Sequence, residues 1–447
     1  MHDVSLLLRP RLRSVSLLSL CFALIGCGES TTLTPTTDAG SRADARPSTA
    51  DSGPTGAGSI VDVASADGRF ATLLAAATRA GLADDLAGPG PFTVFAPTDA
   101  AFEALGVDLA TLSDAQLAEI LSYHVVSGEV RSSAIPARAD SINELTLFFD
   151  TEGGVSVNDA DVIAADVDAD NGVIHVINGV LLPPDIVDAA GYAGLTQLAA
   201  AATSAGLVDE LQGTGPFTVL APTDAAFEAL PAVPAGDALA QVLLYHVLSG
   251  EVASSAIPAR ADSLATNEWG NGLTLLFSTT GGVRVNGVDV VVADVRTTNG
   301  IVHVIDEVLL PPNVIDMAGI AGLTGLAGAI GAAAPISGST TVASALQGSG
   351  PFTVFAPTNE AFTAASSVIA TLSAEQIRDV LLFHVVGGSA PVLSTGLAAG
   401  AVPTLLSGQA VDVAVSPRPT VEGRGIVAVD IHVTNGVIHL IDGVMVP

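Results

Sequence analysis

From residue 60 onward the chain alternates between two hydrophobic rhythms. The first is helical: Phe70, Leu73, Leu74 and Ala77 fall on one face at a 3.6-residue period, with Gly81 as a stop signal. A short run from Phe92 to Ala96 follows and reads as a strand alternating around Thr93. Thr98 or Asp99 is placed to cap a helix carrying Phe102 and Leu105. Ser113 is placed to cap a second helix bearing Leu117, Ile120 and Leu121, which ends at Tyr123-His124. The rhythm then shifts to period two, over Leu145 to Phe149, Val155 to Val157, Val162 to Ala164 and Val173 to Ile177. Helices first and strands last is the order of an α+β domain.

This pattern is written three times. Pro91-Phe92-Thr93-Val94-Phe95-Ala96-Pro97-Thr98-Asp99 returns at Pro216 to Asp224 and at Pro351 to Asn359. Asn171-Gly172-Val173-Ile174-His175-Val176-Ile177 returns at Asn299 to Ile305 and at Asn435 to Ile441. A period well over a hundred residues means three whole domains rather than a solenoid of small units. The boundaries read as 60–184, 185–312 and 313–447, joined by the Pro-stiffened connections Pro183-Pro184-Asp185 and Pro311-Pro312-Asn313. The third copy departs most. Gly, Ala and Ser between Ile330 and Thr341 lengthen its opening helical region, and four prolines interrupt the strand pattern between Ser389 and Val429. Tyr123 and Tyr245 become Phe383.

Charge narrows the partners. The formal net charge is −31, and all 15 basic residues are arginine. Nucleic acid, which needs a basic stripe, is excluded, and so is direct docking on anionic headgroups. Neutral or basic partners, or partners bridged by divalent cations, remain. The two cysteines, Cys21 and Cys27, both lie at the far N-terminus, so the folded part has no disulfide and no thiolate chemistry.

Residues 1–26 read as an address. Arg9, Arg11 and Arg13 precede an apolar run from Val15 to Ile25, too short for a permanent span. The run ends in Leu24-Ile25-Gly26-Cys27, which resembles the bacterial lipobox. That resemblance implies cleavage before Cys27, its lipidation, and a membrane attachment made only through this anchor. Gly28 and Glu29 follow, with no Asp at the sorting position, which implies the outer membrane or cell surface. Residues 27–59 are rich in Thr, Ser, Pro, Gly and Asp and are expected to form a flexible tether.

Six of the eight histidines occupy two repeated positions: His124, His246 and His384, and His175, His303 and His439. No third repeated ligand accompanies them, so neither a metal nor any other cofactor is expected. His175, in a strand with Val173 and Ile177 on its face, reads as a neutral hydrogen-bonded core residue, as do His303 and His439. Asn171, Asn299 and Asn435 read as turn residues, because Asn-Gly tolerates positive φ. Asp166 to Gly172 superficially resembles a calcium loop, but its Gly is one place late and its twelfth position is Ile177, so these acids read as solvated strand ends. There is no Gly-x-Ser-x-Gly elbow, no catalytic Cys and no phosphate loop, and no enzyme is expected.

Taken together, the Pro-Phe-Thr-Val-Phe-Ala-Pro-Thr-Asp run, the Tyr-His pair after a helix, and the Asn-Gly-Val-Ile-His closing stretch resemble fasciclin-type adhesion domains, three times over and in family order. The resemblance implies three tandem modules, each a wedge-shaped β-sandwich-like core with helices packed around it. It implies an extracellular module for adhesion and matrix contact, binding a protein or glycan on a cell surface or matrix. It also links the Tyr-His pair to partner recognition, here Tyr123, His124, Tyr245 and His246, although a helix–strand junction places them for burial and the ring that survives at Phe383 favours packing. The alternative is an envelope enzyme or small-ligand carrier with a pocket near the Tyr-His or Asn-x-x-x-His motifs. Oligomeric state is not readable from the chain.

Overall fold

The computed structural model describes residues 58–447; the lipobox, Cys27 and nearly all of the tether lie outside the described residues. The described chain forms two compact units, one running to Pro136 and resuming over Asp150–Leu182, the other made of Ala137–Phe149 and Pro183–Pro447.

In the first unit the helical opening is three short helices, Ile60–Asp67, Ala71–Arg79 and Ala83–Ala87, not one. Ser59 caps the first in a capping box with Asp62. Thr98 and Ser113 cap Asp99–Leu105 and Asp114–Tyr123 as expected, Ser113 with Gln116 completing its box. Directly after Tyr123-His124 comes the strand Val125–Ser127, which the period-two reading missed because it is only three residues long. Strands Phe92–Pro97 and Gly172–Ile177 lie parallel and in register, Phe92 opposite Gly172 and Phe95 opposite His175. The closing strand is buried along its whole length, which explains its unbroken apolar run. Phe70, Leu117, Ile120 and Leu121 from the helices pack on Val94, Ala96, Ile174 and Val176 of this parallel pair.

The second unit holds two more copies of the architecture. In the second module the strands run in the spatial order Arg260–Thr266, Gly272–Ser278, Arg284–Val285, Val288–Thr297, Gly300–Ile305, Phe217–Pro222, Val247–Ser249, and the pairing of Ser263 with Leu248 closes them into a barrel. The third module, and the seven strands of the first, follow the same order as open sheets. Each is thus an α+β module with one curled sheet, helices on its outer face and an apolar filling of Leu220, Leu248, Leu275, Val285 and Ile305 inside the second. In the third module the prolines leave the strand order intact: Gly400–Pro403, Ala410–Ala414, Thr420–Val421 and Arg424–Val433 all form. The insertion between Ile330 and Thr341 does not lengthen a helix. Thr324–Ala332 ends, a turn closed by Ser337 and Thr340 follows, and Val342–Leu346 starts a separate helix.

The expected linkers are the first caps of the next modules. Asp185 and Asn313 cap helices Ile186–Tyr192 and Val314–Ile320, each in a capping box. The carbonyls of Pro184 and Pro312 accept from the N–H and hydroxyl of Thr298 and Thr434.

Candidate functional site

Three polar stations recur in every module. The first is the asparagine of the closing motif. Asn299 Oδ1 accepts from the N–H of Ile186 at 3.0 Å, while its Nδ2 donates to the carbonyls of Leu211 and Gly213 at 2.8 and 2.9 Å. Asn171 does the same for Ile60, Leu86 and Gly88, and Asn435 for Val314, Leu346 and Gly348. One amide therefore ties the start of the first helix to the end of the third, on the far side of the domain in sequence. Each asparagine does lie in the turn before its strand, but the positive φ falls on the following glycine alone, and the asparagine is kept for its side chain. Asn299→Ala strands one N–H and two carbonyls, and is expected to cost about 3 kcal/mol. Chemical denaturation checks this; a loss below about 1 kcal/mol would mean water replaces the amide.

The second station is the closing-strand histidine. His303 Nε2 donates to the carbonyl of Val252 at 2.8 Å, and its Nδ1 accepts from the N–H of Asp294 at 3.2 Å. Asp294 sits at a φ of 59° and accepts through its carboxylate from the N–H of Ser254, at 2.8 Å, and from that residue's hydroxyl. Ser132, Asp166 and His175 repeat the arrangement, as do Ser394, Asp430 and His439. The bonds from Ser132 hold the Asp166 carboxyl below its usual range; at Asp294 partial burial opposes the same bonds, and the bonds win. Burial depresses His439. The rings of Phe95 and Phe355 stack on His175 and His439 at 5.4 and 5.6 Å.

The three residue types of a hydrolase triad thus meet here in the wrong order. The serine hydroxyl faces the carboxylate, and the imidazole spends both nitrogens on backbone, so no base is poised on a nucleophile. This is a structural latch. It replaces the reading of Asp166 and Asp294 as solvated strand ends, and its sequence signal is an Asp recurring nine places before each closing His. The calcium-loop acids do not converge: Asp168 pairs with Arg131, Asp170 accepts from Gly58, and among the described residues no group of His, Cys, Asp and Glu could hold a metal ion.

The third station is the Tyr-His pair. His246 Nδ1 donates to the carbonyl of Val242, one turn back, at 2.7 Å, and Nε2 accepts from the N–H of Leu309 at 2.9 Å. His124 bridges Ile120 and Leu181 in the same way, and His384 bridges Val380 and Met445. Burial pushes all three imidazoles down to about 4. Tyr245 Oη donates to the carbonyl of Thr274 and accepts from Asn286, and Tyr123 Oη accepts from Asn158. The two tyrosines are 0% exposed, and His124 and His246 are 1% exposed. Direct partner contact through these four side chains is therefore corrected: they present no surface, and they staple a helix end to the module's last segment.

An apolar cavity adjoins His246, lined by Ala190, Leu198, Ala202, Val219 and Leu243, and two smaller ones adjoin His384. With both imidazole nitrogens already bonded, no free polar group of these histidines points into them.

The Fasciclin domain family model matches the chain three times, over residues 68–183, 193–311 and 333–447. The chain belongs to the fasciclin domain family. Protein sll1735 of Synechocystis sp. is 45% identical over 128 residues, which is 28% of this chain and 96% of that protein. Human periostin is 31% identical over 307 residues, and the transforming growth factor-beta-induced protein ig-h3 of Sus scrofa is 30% identical over 304. Each of these two matches takes in 63% of this chain, but only 35% and 43% of the respective mammalian protein. A solved FAS1 domain pair from the insect cell adhesion molecule fasciclin I superposes with a TM-score of 0.36 at 20% identity, covering 55% of this chain and 98% of that one.

Proposed function

We propose that this protein is an exported lipoprotein of the cell envelope, anchored through Cys27 at the outer membrane or cell surface, which adheres to proteins or glycans of another surface or matrix. It works by several weak contacts at once and not by catalysis. Family membership supports the class, since the fasciclin resemblance implies adhesion and matrix contact. The observation that carries multivalency is an outward aliphatic residue at one register position of every module. Ile163, Val291 and Val427 are 54, 53 and 58% exposed, each three residues before the latch aspartate. A single exposed aliphatic means little, but the same one in three domains is a repeated surface feature. Three weak sites on one chain raise avidity about 10²- to 10⁴-fold over one. Among the described residues no helix is long and apolar enough to cross a membrane.

One experiment tests anchor and adhesion together. Cys27→Ser is expected to move the protein from the membrane fraction to the soluble fraction while it still binds host cells or biofilm matrix. Replacing Ile163, Val291 and Val427 together by Ser in that soluble form is expected to lower retention on the matrix at least about tenfold, more than any single change. Membrane association that survives Cys27→Ser would sink the anchor. Binding no better than an inert acidic protein would sink adhesion.

A further inference from the structure

Two hairpins in the second unit seat on the long strand of a following module, and both use a threonine hydroxyl with an apolar residue two places on. In hairpin Arg138–Asp140 with Thr146–Asp150, Thr146 Oγ1 accepts from the N–H of Arg296 at 3.0 Å, and Glu144 pairs with the Arg296 guanidinium. Beside it Phe148 packs against the second module's helical core, its ring 6.1 Å from Tyr192. In the next hairpin, Arg260–Thr266 with Gly272–Ser278, Thr274 Oγ1 accepts from the N–H of His432 at 3.0 Å. Leu276 joins the third module's core, Arg260 donates to the carbonyl of Val429, and Asn267 donates to that of Val433. Thr146 and Thr274 are 1% and 0% exposed.

Strand register identifies the matching positions of the third hairpin. Arg138 opposes Phe148 and Asp140 opposes Thr146; Arg260 opposes Leu276 and Asp262 opposes Thr274; Ala401 opposes Asp412 and Pro403 opposes Ala410. The cation has become Ala401, the buried hydroxyl Ala410, and the apolar plug the exposed carboxylate of Asp412. All three docking chemistries are gone at once.

We propose that this hairpin is the docking plug of the array, fitting the long strand of a following module of its own kind, and that the third hairpin has been stripped of it and accepts neither a further module nor a second copy of the chain. The plug holds by a hydroxyl on an outward strand N–H, an aromatic or aliphatic residue in the next core, and donors on strand carbonyls. A carboxylate at the plug position would face an apolar seat unpaired, which opposes docking. The seam between the second and third modules is not perfectly satisfied. His432 Nδ1, on the third module's side, is a buried side-chain atom without a partner among the described residues. Docking is thus weaker than a module core and open to control by a few residues.

The test transplants the third hairpin's residues into the second in the full chain: Arg260→Ala, Thr274→Ala and Leu276→Asp. Hydrogen exchange at the His432 amide is expected to speed up at least about tenfold, with the second module's own melting little changed. Thr274→Val, which keeps the shape and removes the hydroxyl together with its bond to Asp262 within the hairpin, should speed it about fivefold, and it serves if the triple variant folds poorly. The parent chain should sediment as a monomer at all concentrations. Exchange at His432 unchanged in a folded variant, or head-to-tail association of the parent through residues 400–414, would overturn the proposal.

Discussion

Gly300→Ala is expected to unfold the second module. Gly300 stands opposite Phe217 at the first rung of the parallel pair, with a φ of 154°. A Cβ there would lie 2.0 Å from the carbonyl oxygen of Phe217, a backbone atom that cannot swing aside. Relief requires parting the two strands on which the helices are packed. The cost should exceed about 4 kcal/mol, a large share of the net stability of about 5–15 kcal/mol that a domain of this size has. Gly206→Ala in the same module is the control. It has a left-handed φ of 69° and open space around the added methyl, so it bears backbone strain alone, about 1 kcal/mol. Calorimetry of the two variants decides the matter, and melting of Gly300→Ala within a few degrees of the control would refute the steric argument. The same geometry holds at Gly172 and Gly436, and Gly90, Gly215 and Gly350 meet the carbonyl of the closing-motif asparagine as closely, so each module carries this vulnerability twice.

Acid should loosen every module before its carboxylates titrate. Burial holds His124, His246 and His384 at about 4 in the folded chain, below the value of about 6.5 for an exposed imidazole. The unfolded chain therefore takes up protons first. The stability contributed by the neutral ring is fully present above pH about 6.5 and is lost as the pH falls toward 4, at up to about 1.4 kcal/mol per pH unit for each such histidine. Summed over that window the loss is about 3 kcal/mol in each module. The depressed Asp166 and Asp294 act lower, their contribution draining as the pH falls below about 4. Burial depresses His439 too, and its loss of stability adds to that of His384 in the third module. Urea midpoints measured from pH 7.5 to 4.5 test this. A flat profile in the parent chain would contradict it, as would an unchanged slope in His246→Leu.

Much of this architecture could be read from the chain, and most of the part that could not is non-local. Helix caps and strand rhythm are local: Ser113 finds its partner Gln116 three residues away, and the apolar spacing of Leu117, Ile120 and Leu121 needs no knowledge of the fold. The polar stations are not local. Asn171 reaches residues 83 to 111 positions away, and Asp166 reaches Ser132 across 34. Composition around Asn171 says only that a turn is near, and a turn is the explanation it invites. The Tyr-His pair is a different case. Its place at a helix–strand junction favours packing over the contact that the family resemblance implies, and the inward bonds to Leu181 and Leu309 show what it packs against. The clue in the sequence was Phe383, where the ring persists without its hydroxyl. The docking hairpins left almost no trace, because a threonine on a strand looks the same whether it meets water or another module.

The parallel pair at the heart of each module has a further consequence, in time. Its two strands are the first and the last to be made, with every other strand of the module between them, and the asparagine that pins the first helix sits at the start of the last. Such distant pairing forms late, after the intervening loop entropy has been met. A module emerging from a ribosome or an export channel therefore has no centre until its final residues are out. Each module should complete abruptly and in turn, so that one interrupted just before its closing strand offers a protease a set of helices with nothing to rest on.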